Sequence, residues 1–165
     1  MVINNSGVTC DLFELIPLTL EYCEQVYEIA RECLPEHWSL DGIRDVLKYD
    51  NNIYYVAVEC IDDAGNDKVV GFGGIMIVAD EAELLNIAVR DKYRHQGIAS
   101  SLIDTLLNEA EKEGAYRMLL EVREHNDAAG KLYAKHGFTV LGNRKNYYSN
   151  PVDNAVIMEI VFDNI

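Results

Sequence analysis

Between Leu84 and Glu113 the hydrophobic pattern changes period, and that change restricts the fold more than any other part of the chain. Leu84-Leu85-Asn86-Ile87-Ala88-Val89 is a short apolar run in which Leu85, Ile87 and Val89 alternate against Leu84, Asn86 and Ala88, as in a central strand covered on both faces. From Ile98 the apolar residues fall at Ile98, Leu102, Ile103, Leu106, Leu107 and Ala110, one helical stripe, while Asp104, Asn108, Glu111 and Lys112 take the other side. Gly114 suits a left-handed C-terminal cap. The connection is Arg94-His95-Gln96-Gly97-Ile98-Ala99. Gly97 lets the backbone approach a ligand closely, and the first free N–H groups of the helix point outward at the positive end of its dipole. Such a turn suits an anion, most naturally phosphate. A tight strand-to-helix connection with no ligand has the same appearance, so the turn needs support from elsewhere.

The 165 residues fit one domain, with a segment at 1–10 expected to be poorly ordered, and 49% hydrophobic with 25% charged is ordinary globular composition. Fourteen basic against 28 acidic side chains leave a net charge of −14, which argues against nucleic acid as a direct partner. It is compatible with a cationic substrate, although a solubilising acidic surface is the readier explanation. No signal-like start and no apolar run of ~18 residues is present, so no membrane association and a cytosolic protein are expected. Cys10, Cys23, Cys33 and Cys60 have no C-x-x-C spacing and no clustered His, so they read as reduced thiols, with no metal site indicated.

The flanking segments follow the same two periods. A first strand spans Asp11–Leu18; Thr19 can cap a helix with Tyr22, Val26, Ile29, Ala30 and Cys33 on its apolar face, ended by Pro35. Ser39 caps a second, short helix through Ile43, Val46 and Leu47, and Trp38 between the helices is either a core plug or the wall of a groove. Strands at 53–61 and 69–78 flank a hairpin loop at 62–67, and Gly71, Gly73 and Gly74 serve close packing there, since no helix follows them. Tyr116–Val122 is another buried strand. Glu121 lies at its end, where open α/β sheets place reactive groups and where burial would raise a carboxyl pKa toward a general base's range; an exposed loop carboxylate is the alternative. Asn126 starts a helix carrying Ala129, Leu132, Tyr133 and His136, closed by Gly137 and Phe138, and a last strand at 155–162 follows Tyr147-Tyr148 and a turn at Asn150-Pro151. By itself Tyr133 reads as core.

In this order the elements resemble the GNAT superfamily of acyl-CoA N-acyltransferases, whose coenzyme A motif is Arg or Gln, two residues, Gly, one residue, then Gly or Ala; Arg94-x-x-Gly97-x-Ala99 fits it. Asn86-Ile87-Ala88-Val89, Leu120-Glu121-Val122-Arg123, Asn126, Leu132-Tyr133, Gly137-Phe138 and Asn146-Tyr147-Tyr148 are similar to the RimI-type branch, which acetylates the N-terminal alanine of a small-subunit ribosomal protein. The resemblance is strong over 80–158 and weak before, where Trp38-Ser39 echoes a Pro-Trp-Ser. It implies an α/β (α+β) fold, a mixed central sheet of about seven strands with four helices. It also implies acetyl-CoA as co-substrate, its pyrophosphate on the N–H groups of His95, Gln96, Gly97, Ile98, Ala99 and Ser100, and its pantetheine arm along Ile87, Ala88 and Val89, with Asn126 touching it. Glu121 becomes the general base and Tyr133 the acid for the departing thiolate, with direct transfer to a protein or peptide N-terminus. Trp38, Tyr147 and Tyr148 are candidate walls of the acceptor groove; for the two tyrosines, packing on the last strand is the other reading. Glu36-His37, Glu124-His125 and the acidic loop 62–67 depart from the branch's pattern and put the acceptor in question. Another amine, or acyl-CoA binding without turnover, remains open.

Overall fold

Strand and helix follow one another as the changes of period require. The structure, a computed structural model, describes residues 2–3, 9–10, 13–36, 38–59 and 67–162. Two short strands, β1 (Val2–Ile3) and β2 (Thr9–Cys10), pair antiparallel; the rest of the expected poorly ordered segment, residues 11 and 12 of the first strand, and most of the loop at 62–67 lie outside the described residues. Then come β3 (Glu14–Pro17), α1 (Cys23–Cys33), α2 (Leu40–Val46), β4 (Asn52–Glu59), β5 (Lys68–Val78), β6 (Glu81–Val89), α3 (Ile98–Lys112), β7 (Arg117–Arg123), α4 (Asp127–Lys135), β8 (Thr139–Ser149) and β9 (Val152–Val161). One seven-stranded sheet in the order β3-β4-β5-β6-β7-β9-β8 holds the expected strands, and four helices cover it. Among the described strands only β6 and β7 run parallel, joined through α3, because a crossover helix is needed to bring a parallel strand back.

Each helix buries the stripe that its spacing marked. α1 and α2 lay Val26, Ile29, Ala30, Ile43 and Val46 on Tyr54, Val56 and Phe72. On the opposite face α3 places Ile98 and Leu102 with Ala57, Val70 and Val89, and Ile103 and Leu106 with Ile75, Leu84 and Met118. Leu102 and Leu106 are fully buried, each contributing roughly 1.5–3 kcal/mol by removal from water. Gly74 is required by packing: a Cβ built there would stand 2.1 Å from the ring of Tyr54.

Two local expectations fail. Thr19 makes no side-chain cap, because the chain first turns through a 3-10 segment at Leu20–Tyr22 in which the Thr19 carbonyl accepts from the Tyr22 N–H at 3.1 Å. Strand β6 begins at Glu81 rather than Leu84, since Glu81 and Glu83 turn outward while Ala82 and Leu84 point in. Ser39 does cap α2, accepting from the Gly42 N–H at 3.1 Å. Cys23 and Cys33 are free thiols; the side chains of Cys10 and Cys60 lie outside the described residues. Among the described residues no helix is long and apolar enough to cross a membrane.

Candidate active site

The site originates in a break in the sheet. β6 and β7 pair only from Glu81 with Arg117 to Leu84 with Leu120. At the same level β6 carries a bulge against β5, where Ile75 faces Leu84 and Gly74 faces Asn86, leaving Leu85 over. A bulge bends and twists its strand, so beyond Leu84 the two parallel strands diverge and the β7 side of β6 goes unpaired by β7. The opening is a cleft of about 820 Å³ lined on one side by Leu84–Ile87 and on the other by Leu120–Arg123, with Asn126, Ala129 and Tyr133 from α4, Trp38 from the α1–α2 connection, and Tyr147 and Tyr148 from β8.

This cleft brings Glu121, Tyr133, Asn126, Trp38, Tyr147, Tyr148 and Ile87 together. Glu121 is in β7, two residues before its end, and its side chain is 23% exposed and ion-paired with Arg144 Nη1 at 2.8 Å. The expected apolar burial of this carboxyl is therefore corrected: it meets a guanidinium and the hydroxyl of Tyr147, which donates to it. That bond is the main cause of the raised pKa of Tyr147. Tyr133 is buried beside Phe138, ring centroids 5.9 Å apart, and burial pushes its hydroxyl up to about 12, with Tyr148 adding to the shift. Asn126 caps α4, its Oδ1 accepting from the Ala129 N–H at 3.2 Å. Trp38 is 37% exposed, tilted against buried Tyr54, and lines the cleft.

The turn at the other end of β6 is a separate feature of the site. Ala88 and Val89 are buried, and the Val89 carbonyl accepts from Arg94 Nε at 3.1 Å, which folds Arg94 back beside Asp91. His95 and Gly97 take left-handed backbone angles, φ 62° and 86°. Gln96 Nε2 donates to the Lys92 carbonyl. Gly97 precedes α3 with no side-chain cap, and nothing lies within 4 Å of where its Cβ would stand. The N–H groups of Ile98, Ala99 and Ser100 thus face a bare cradle at the positive end of a 15-residue helix, which fits a phosphate group.

Three functional-looking contacts were not assigned from the sequence. Arg144 reaches Glu121 from a strand 23 positions later, and no local pattern announces it. Arg123, quoted within a motif but given no role, stacks on Tyr148 at 4.1 Å, pairs with Glu36 at 3.1 Å and donates to the Pro151 carbonyl at 2.9 Å. Glu36 thus has a partner across the cleft; its departure from the branch's pattern was the only signal. Glu124, His125 and Asp153 cluster within 4.8 Å, but the His125 ring is hydrogen-bonded to Asp153 and Glu124 to Asn154.

Comparison with known proteins agrees with this architecture. Ribosomal protein bS18-alanine N-acetyltransferase of Haemophilus influenzae is 35% identical over 144 residues, covering 84% of this chain and 93% of that one. The crystal structure of the ribosomal-protein-S18-alanine N-acetyltransferase from Escherichia coli superimposes with a TM-score of 0.77 at 28% identity, over 93% of this chain and 98% of that one. Arabidopsis thaliana NAA60 in complex with acetyl-CoA shares the fold, TM-score 0.82 at 18% identity over 92% and 99% of the two chains. The model of the acetyltransferase (GNAT) family matches residues 23–138, and this chain belongs to that family.

Proposed function

We propose that this acetyltransferase moves the acetyl group of acetyl-CoA to the N-terminal α-amine, that of an alanine, of a small-subunit ribosomal protein, by direct attack in a ternary complex. The observation that carries the reading is the single cleft in which Glu121 and Tyr133 face the unpaired edge of β6. The named relatives, similar over nearly their whole length, support the choice of acceptor.

In this reading the coenzyme phosphates lie on the N–H groups at the start of α3, and the pantetheine amides pair with the β6 edge near Ile87. A backbone N–H of that segment stabilises the negative charge that develops on the thioester oxygen during attack. The acceptor enters between Trp38 and the Tyr147-Tyr148 pair. A protein α-amine has a pKa of about 7.7–8.0, so much of it is neutral near pH 7, and Glu121 removes the remaining proton directly or through water. A lysine at about 10.4 asks far more of one carboxylate. The amine nitrogen bonds to the acetyl carbon, the carbon–sulfur bond breaks, and the thiolate takes the Tyr133 proton. That hydroxyl is protonated at neutral pH by its ordinary pKa of about 10, which burial pushes further up.

The test is acetyl transfer to a synthetic peptide carrying the ribosomal protein's N-terminus, beside the same peptide blocked at its α-amine. Labelling of the free peptide alone is expected. Equal labelling of both would overturn the assignment, as would a trapped acetyl-enzyme for the direct mechanism.

A further inference from the structure

Strand β8 contains an irregularity that the proposed chemistry does not explain. Arg144 pairs with Ala155 and Tyr148 with Asp153, so Lys145, Asn146 and Tyr147 all stand opposite Asn154 alone. In a regular strand Arg144 and Tyr147, three positions apart, would project from opposite faces. Here the two extra residues, with Asn146 in the left-handed region at φ 51°, interrupt the alternation, and both side chains reach the Glu121 carboxylate.

The bulge is held from one side by a relay. Asn146 sits at its turning point with φ 51°, and its N–H donates to Asn154 Oδ1 at 2.9 Å. The amide orientation that presents this oxygen is set by Asn154 Nδ2, which donates to Glu124 Oε2 at 2.8 Å. The Glu124 N–H returns a bond to the Asn154 carbonyl at 3.0 Å. One residue away, buried Asp153 accepts from the Asn154 N–H and from the His125 N–H and bonds the His125 ring, fastening the same stretch of β9 to the β7–α4 loop. Glu124-His125 is the pair that departs from the branch's pattern, and here it joins the acceptor side of the cleft to the end of β7.

We propose that Glu124 and Asn154 are positioning residues for acceptor recognition: through Asn146 they hold the β8 bulge that brings Arg144 and Tyr147 onto one carboxylate. The proposal rests on the reading of Glu121 as the base. With the bulge fixed, the Arg144 guanidinium and the Tyr147 hydroxyl already occupy part of the Glu121 carboxylate, which also lines the cleft. Releasing the bulge lets Tyr147 and Arg144 return toward strand alternation, so the acceptor loses its wall while the coenzyme side, on β6 and α3, is untouched.

The experiment measures initial rates of wild type, Glu124→Ala, Glu124→Gln, Asn154→Ala and the double alanine variant, varying peptide and acetyl-CoA separately. The peptide KM should rise about tenfold in each alanine variant and no further in the double variant, with the acetyl-CoA KM within about twofold of wild type. Glu124→Gln should stay near wild type, since its amide oxygen still accepts from Asn154. An unchanged peptide KM, or both KM values rising together, overturns the proposal. Exchange of the Asn146 amide, followed by NMR, needs no acceptor and is expected to accelerate about tenfold or more in Asn154→Ala. If wild type leaves the peptide unlabelled, the proposed acceptor has failed; accelerated exchange then still supports the relay, and unchanged exchange overturns it.

Discussion

Replacing Tyr133 with phenylalanine removes one oxygen atom and leaves the ring, which makes it the cleanest probe of the proposed chemistry. Tyr133 is 6% exposed and packed edge-on to Phe138 within the cluster that holds Met118, Leu120 and Met158. Because shape is conserved, the cost in stability should stay under about 1.5 kcal/mol, whereas Tyr133→Ala would cost about 3–5 kcal/mol and confuse folding with catalysis. A positioned general acid contributes about 10²–10⁴-fold, which at 1.36 kcal/mol per decade is roughly 2.7–5.4 kcal/mol of barrier. A coenzyme thiolate departs more readily than an alkoxide, so the low end applies, and kcat should fall about 100-fold with both KM values nearly unchanged. The assay is continuous release of free thiol, with a thermal melt of the same sample. A kcat within about threefold of wild type would refute the role, because so small a loss is below what a proton donor supplies.

The pH profile tests the same residue independently. The folded pKa of Tyr133 is raised to about 12, so its proton-bearing form persists through the whole assay range and is lost only as pH approaches that value. The rate should therefore climb through about pH 7.7–8.0 as the acceptor amine deprotonates, and should not fall again before about pH 10. A falling limb between pH 8 and 10 would assign the donor to some other group.

Three further substitutions separate the parts of the site. Gly97→Ala puts a Cβ at φ 86° into the bare cradle before α3; the backbone penalty is about 1–2 kcal/mol, a melt lowered roughly 2–8 °C, and the acetyl-CoA KM should rise about tenfold, with an unchanged KM ruling out phosphate there. Gly74→Ala drives a methyl into the buried ring of Tyr54 and should cost about 3 kcal/mol, a fall of roughly 6–12 °C in the melt; an unshifted melt would contradict that packing. Trp38→Ala removes a half-exposed groove wall and should raise the peptide KM several-fold, about 1 kcal/mol, while leaving the acetyl-CoA KM alone; equal effects on both would return Trp38 to a packing role.

The element order could be read from the chain because strand and helix periods are local properties. Leu84 to Val89 and Ile98 to Ala110 announce themselves within a dozen residues, and Gly97, Ser39 and Asn126 mark ends by their own backbone chemistry. The start of α1 differs because Thr19 is a good cap by type, while the chain there tightens into a 3-10 turn whose last residue, Tyr22, is buried in the core. The setting of Glu121 was also out of reach. Its neighbours in sequence are apolar, which suggests burial; its neighbours in space are Arg144 and Tyr147, delivered by a bulge. Ion pairs across a sheet follow from register, and the two residues by which β8 exceeds β9 between Arg144 and Tyr148 leave no mark in the local pattern.

That dependence on register explains how the site is built. In a sheet without irregularities β6 would stay paired to β7 along its length, and no backbone edge would be left to meet a coenzyme. Leu85 breaks that pairing by adding one residue to β6, at the level where Leu84 and Leu120 make the last parallel contact. The same regular sheet would turn Arg144 and Tyr147 to opposite faces, and only one could reach Glu121; the extra residues of β8 remove that restriction. The two bulges sit on opposite sides of β7, and in the proposed function the first lies beside the donor and the second beside the acceptor. Glu121 stands on the strand between them, in regular pairing with Ile157, so the proposed base is carried by rigid sheet while the two sides around it are set by where pairing fails. The proposal therefore predicts that changes at the second bulge alter acceptor binding without disturbing the first, which is what makes Glu124 and Asn154 informative positions.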